Sequence, residues 1–169
     1  RTLAAIQGDP GTGKTIVGIY LMKLMRDLAD FDPTDEVEGD SMFSDLFVEG
    51  NRELFRDLRI GLVIPQKSLR RSISRVFRKV PALRDAQVLT PYDVAVADED
   101  FDVIVVDEAH RLTQRGAQAH GTLTKRYGEI TRRLFDSDDH SINQLDWIRK
   151  RSRHTILLLD TAQSVRPID

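Results

Sequence analysis

Cysteine is absent from the 169 residues, which excludes a disulfide framework and thiolate zinc sites and fits a reducing compartment. The cytoplasm is the simple expectation. Long apolar runs are missing as well. Stretches such as Thr155 to Leu159 fall far short of the roughly 20 residues a membrane span needs, and no signal peptide precedes the first motif. No membrane partner is therefore expected. Zinc-type histidine spacing is also lacking, since His120, His140 and His154 show neither i,i+4 pairs nor a matching carboxylate pattern. Aromatic residues make up 7% of the chain, and its one tryptophan, Trp147, reads as core and not as a base-stacking platform. The formal net charge of −2 announces no partner by itself. Basic residues are locally absent: from Asp27 through Asp35, Glu36 and Glu38 to Glu49 the acidic residues meet no Lys or Arg. This marks residues 29–51 as an exposed acidic insertion, either a solvated loop or a flap that mimics nucleic acid or gates a basic helix.

The composition that remains, 40% hydrophobic and 31% charged, is that of an ordinary water-exposed domain. A chain of this length should bury about 70% of the surface its unfolded form exposes, so a single domain over 1–169 is expected. The chain starts a few residues before its first motif and ends soon after a strand, which reads as a piece of a longer protein.

Gly8 to Thr15 read Gly-Asp-Pro-Gly-Thr-Gly-Lys-Thr, the Gly-x-x-x-x-Gly-Lys-Ser/Thr pattern of a phosphate-binding loop. A phosphate chain is a dense anion. A Gly-rich loop entering a helix N-terminus offers it several backbone N–H groups, reinforced by the helix dipole. Gly8, Asp9, Pro10, Gly11, Thr12, Gly13, Lys14 and Thr15 are thus the candidate ATP-binding residues. Lys14 is expected to reach the β and γ phosphates, and the Thr15 hydroxyl to take one position on Mg²⁺. About ninety residues later, Val103 to His110 read Val-Ile-Val-Val-Asp-Glu-Ala-His. An acidic residue at the C-terminal tip of a parallel strand lies in the crevice where such sheets bind ligands. Asp107 is accordingly the second candidate Mg²⁺ ligand, and Glu108 the candidate to orient or deprotonate the attacking water. His110 is either a relay of nucleotide state or a local hydrogen-bonding residue. Gln163, after the last strand tip at Asp160, is a candidate γ-phosphate sensor.

Short Val/Ile/Leu-rich runs at Leu3–Gln7, Arg59–Ile64, Gln87–Thr90, Phe101–Val106 and Thr155–Leu159 alternate with helical segments. That alternation predicts a three-layer α/β fold with a central, mostly parallel sheet flanked by helices. Ile16 to Leu28 predicts a buried helix. Ser68 to Val80 predicts a helix ended by Pro81, with Leu69, Ile73, Val76 and Phe77 packed and Arg70, Arg71, Arg75, Arg78 and Lys79 exposed. Ser141 with Gln144 has capping-box form and predicts a helix start.

Taken together, the phosphate loop, the Asp107-Glu108-Ala109-His110 box and the Asp160-x-x-Gln163 element resemble the first RecA-like domain of superfamily-one helicases. More narrowly, the chain looks like the Schlafen-type DNA/RNA helicase-like ATPase family. That resemblance implies a P-loop NTPase fold, hydrolysis of ATP with Mg²⁺, and a second RecA-like domain carrying an arginine finger. It also implies contact with single-stranded DNA or RNA through Pro65, Gln66, Lys67, Arg70, Arg71 and Thr90. The third element departs from the helicase pattern, with Leu159 where glycine is usual. Two other readings stay open: a protein-directed ATPase switch of AAA+ or defence-signalling type, and a non-catalytic nucleotide-binding module. No Asn-Lys-x-Asp guanine-reading element occurs, which argues against a small GTPase.

Overall fold

The computed structural model describes residues 1–32, 43–114 and 121–160. Five strands form one sheet: β1 (Thr2–Gly8), β2 (Ile60–Val63), β3 (Gln87–Leu89), β4 (Phe101–Val106) and β5 (Ser152–Asp160). Every pairing is parallel, and the spatial order is β1-β5-β4-β2-β3. The helices are α1 (Lys14–Asp30), α2 (Glu49–Phe55), α3 (Lys67–Phe77), α4 (Pro91–Val96), α5 (Gly121–Phe135) and α6 (Gln144–Lys150). The expected α/β P-loop fold is therefore present, with a sheet that is wholly parallel.

Register matters more than strand number here. Gly8 pairs with Asp160, Val106 with Leu157, and Val63 with both Val106 and Leu89. All five strands thus end along one edge, the edge at which parallel sheets bind ligands. β5, last in sequence, inserts between β1 and β4, so its tip falls between the two strands that carry the main motifs.

β2 and β4 are central and buried on both faces. Ile60, Leu62, Val105 and Leu158 join Met22 of α1 and Phe77 of α3 in one core cluster, while Val63, Ile104 and Val106 pack with Val94 and Ile148 on the opposite face. A third cluster gathers Tyr127, Ile130 and Trp147 beneath α4. Trp147 is fully buried and donates its indole N–H to Thr131 Oγ1 at 3.1 Å, which fits its reading as core.

Several expectations need correction. α1 is only partly a buried helix. Gly18, Met22 and Leu28 face the core, whereas Ile16, Val17 and Tyr20 are exposed. The reason is topological, because β1 is an edge strand whose residues Thr2 to Ala5 are exposed, leaving α1 a half-covered sheet to pack on. α3 ends at Phe77, before Pro81, and Val76 is exposed with the basic residues instead of packed. The capping box of α6 lies at Asn143 and Asp146, not at Ser141 and Gln144. Asn143 Oδ1 accepts from Leu145 and Asp146 N–H, and Asp146 accepts from Asn143 N–H. At the ends of the acidic segment 29–51 the chain is helical, since α1 runs to Asp30 and α2 opens at Glu49. Its described flanks are tied back by ring contacts of Phe31 with Phe47 and of Tyr20 with Phe43. Residues 33–42 of that segment lie outside the described residues.

Candidate functional site

β1 delivers the chain into a loop that the side-chain-free residues alone permit. Gly11 (φ 79°) and Gly13 (φ 86°) occupy the left-handed region, where a Cβ is strained. At Gly8 a Cβ would stand 2.9 Å from Thr12 Oγ1, so the close return of the loop requires glycine there as well. Thr12 closes the turn, its N–H and hydroxyl both donating to the Asp9 carbonyl at 3.3 and 2.8 Å. α1 then starts at Lys14 with Gly13 as its N-cap and no side-chain cap. Its first N–H groups are left to whatever anion the loop receives.

The second half of the site arrives from β4. Asp107 is buried, its N–H donating to the Val63 carbonyl at 2.9 Å. The Thr15 hydroxyl donates to Asp107 Oδ2 at 2.8 Å, and Glu108 N–H donates to Oδ1 at 3.0 Å. The two expected Mg²⁺ ligands, 92 residues apart in sequence, are thus in direct contact. Burial pushes the Asp107 carboxyl above the usual carboxylate range. Its hydrogen bonds from Thr15 and Glu108 oppose that rise, and the nearby Glu108 and Asp160 carboxylates add to it. A buried carboxylate held among like charges is one a divalent cation would relieve.

Glu108 sits at φ 48°, a left-handed conformation that costs a non-glycine residue of order 1–2 kcal/mol. It caps no helix by its side chain. Its carboxylate is instead ion-paired with Arg111, one turn further on. The His110 ring nitrogens are both buried with no hydrogen-bond partner among the described residues, so the local hydrogen-bonding role is not made there.

Asp160 is the residue that sequence reasoning undervalued. At the tip of β5 it meets the Lys14 ammonium at 2.5 Å, with the two side chains only 12% and 15% exposed. Lys14 also donates to the Gly8 and Asp9 carbonyls at 2.9 and 2.7 Å. The signal lay in a carboxylate ending an apolar strand, but its partner follows only from β5 lying beside β1. Pro10, Gly11, Lys14, Thr15, Glu108 and Asp160 border one depression of about 470 Å³. Gln163 lies outside the described residues.

The six candidate nucleic-acid residues divide. Pro65, Arg70 and Thr90 border a separate depression of about 260 Å³ beside Tyr92, Arg111 and Gln144. Arg70 folds back over the end of β2, donating to the Ile64 and Pro65 carbonyls at 2.8 and 3.2 Å. Gln66, Lys67 and Arg71 are exposed at the start of α3, outside that depression. No group of three or more His, Asp or Glu that could hold a metal occurs among the described residues.

A parallel sheet, a glycine loop opening a helix, and an acidic strand tip bonded to that helix's first turn define a nucleotide-binding P-loop fold. The sequence matches the family described as Schlafen group 3, DNA/RNA helicase domain, over residues 1–169, and the chain belongs to that family. It is also similar to a shikimate kinase of Thermobifida fusca (strain YX), 46% identical over 64 residues, which cover 37% of each chain. The chain therefore spans well under half the length of that relative. No solved structure matches it. No helix among the described residues is long and apolar enough to cross a membrane.

Proposed function

We propose that this domain binds and hydrolyses ATP as one half-site of a nucleic-acid-dependent, helicase-like motor or remodeller. The observation that carries the reading is the Thr15–Asp107 hydrogen bond at 2.8 Å, beside Lys14 and Glu108 in the same depression. Thr15 and Asp107 would hold Mg²⁺, which when bound neutralises charge on the β and γ phosphates. The N–H groups of Gly11, Gly13, Lys14 and Thr15 donate to phosphate oxygens, and Lys14 exchanges carbonyl and Asp160 contacts for the β and γ phosphates. Glu108, which borders the depression, accepts a hydrogen bond from the attacking water and takes its proton. Phosphoryl transfer needs little more from a protein than such positioning and charge stabilisation.

Membership of a helicase-domain family supports single-stranded DNA or RNA as the partner, and so do the exposed Arg71, Arg75, Arg78 and Lys79 on α3. A second RecA-like domain would complete the site from elsewhere in the protein. The test is steady-state ATP turnover by the full-length protein with and without single-stranded oligonucleotide. Glu108→Gln should keep nucleotide affinity and lose turnover by about 10² to 10⁴-fold, the usual share of a positioned base. Retained turnover in that variant would reject the base assignment, and indifference to both DNA and RNA would reject the motor reading.

A further inference from the structure

The two depressions along the sheet edge are joined by one ion pair. Glu108 borders the phosphate-loop depression, Arg111 borders the one beside Pro65, Thr90 and Tyr92, and the Arg111 guanidinium holds the Glu108 carboxylate. The 3-10 turn Ala109–Arg111 makes this possible. It is closed by Arg111 N–H donating to the Glu108 carbonyl at 2.8 Å and sets both residues on one side of a single turn. The ion pair fixes the Glu108 carboxylate against the guanidinium without a hydrogen bond to Oε2, so the carboxylate must turn from Arg111 to orient a water, and guanidinium does not release a proton of its own at working pH.

The second depression is suited to a different anion. Arg70 and Arg111 both border it, Arg126 stacks over the Tyr92 ring at 5.2 Å, and none of its lining residues is acidic. Arg111 is half exposed, whereas Glu108 is 28% exposed, so the guanidinium is the member of the pair more open to an incoming anion. Paired arginines present the planar, multidentate donors that phosphodiesters accept best.

We propose that Arg111 couples the two depressions: a backbone phosphate of a single strand, seated between Arg70 and Arg111, takes the guanidinium from Glu108 and frees that carboxylate for the attacking water. Arg111 is thus a positioning residue that restrains hydrolysis in the absence of a strand. The inference rests on the ATPase reading given above and adds to it the route by which strand binding reaches the reacting water.

The experiment uses the full-length protein and follows kcat and KM for ATP, with and without single-stranded oligonucleotide, in wild type and in Arg111→Ala. Arg111→Ala should raise strand-free kcat by about three- to fivefold, the factor released by one half-exposed ion pair, leave KM unchanged, and flatten stimulation by the strand. A gain in kcat cannot come from a damaged fold, and it should vanish in Glu108→Gln/Arg111→Ala. Arg111→Lys, which keeps charge but loses the planar donor, should fall between. If Arg111→Ala matches wild type in both strand-free rate and stimulation, or lowers the strand-free rate, the coupling is overturned while the ATPase reading stands. If wild type itself is not stimulated by DNA or RNA, the motor reading fails and the coupling fails with it.

Discussion

Replacing Lys14 by alanine removes more than a phosphate contact. The ammonium is held by the Asp160 carboxylate at 2.5 Å and by the Gly8 and Asp9 carbonyls, with the two side chains 12% and 15% exposed. Removing one member of a fully buried pair costs about 3–5 kcal/mol because a charge is stranded, while exposed pairs give about 0–1 kcal/mol. This pair lies at the wall of an open depression, so its loss falls between those limits. Lys14→Ala should lower the unfolding free energy by about 2 kcal/mol, which at this chain length is a Tm drop of about 4–8 °C. Asp160→Asn should cost less, about 1 kcal/mol, since the ammonium keeps two carbonyl acceptors and reaches water. The double variant should be no less stable than Lys14→Ala, giving a coupling of about 1 kcal/mol in a double-mutant cycle. Urea unfolding in nucleotide-free buffer at low and high salt measures all three. The reasoning is refuted if the single effects simply add, or if Lys14→Ala leaves midpoint and slope unchanged.

Asp107 should make the metal-free protein less stable as pH rises. Its folded carboxyl holds its proton more tightly than the unfolded one, so the stabilising contribution is full below the ordinary carboxylate range and is lost as pH climbs through the raised value. Asp107→Asn should therefore raise the neutral-pH Tm in EDTA while removing the stabilisation that Mg²⁺ and ATP give wild type. Equal Tm values in EDTA would contradict this. On α3, Arg71→Glu with Arg75→Glu should weaken single-strand binding and reduce the log–log salt slope by about 1–2; fluorescence anisotropy across a salt series reads both. At Gly18 a Cβ would stand 2.9 Å from Leu158 Cδ1 and 3.1 Å from Val105 Cγ1. Overpacking of about 1–3 kcal/mol should thus outweigh the helix-propensity gain of about 1 kcal/mol. Gly18→Ala should be destabilising by about 1 kcal/mol, and a urea midpoint above wild type would show that the neighbours yield.

The legible parts of the chain are those whose physics is local. The phosphate loop needs glycines at fixed offsets because Gly11 and Gly13 take positive φ and Gly8 has no room for a Cβ. β4 was readable to the residue, since Phe101–Val106 is apolar at every position but Asp102, ends at the Asp107–Glu108 pair and is covered on both faces. The start of α6 was misplaced by two residues because Ser141 and Asn143 are both good N-caps, and only packing of Leu145, Trp147 and Ile148 selects between them. Burial of α1 was overestimated because its apolar residues surround the helix. Which of them are covered depends on β1 being at the sheet edge.

Local spacing, then, sufficed for the identity of the phosphate loop, the acidic strand tip and the alternation that makes the sheet parallel, because each rests on contacts within a few residues. The partners across the site were decided by tertiary structure alone. Strand order sets β5 between β1 and β4 and so brings Asp160 to Lys14. Parallel register brings Thr15 to Asp107. A single 3-10 turn, adopted against the cost of a left-handed Glu108, aims that carboxylate at Arg111. These contacts join residues dozens of positions apart, or depend on a strained backbone, and no periodicity in the chain encodes either.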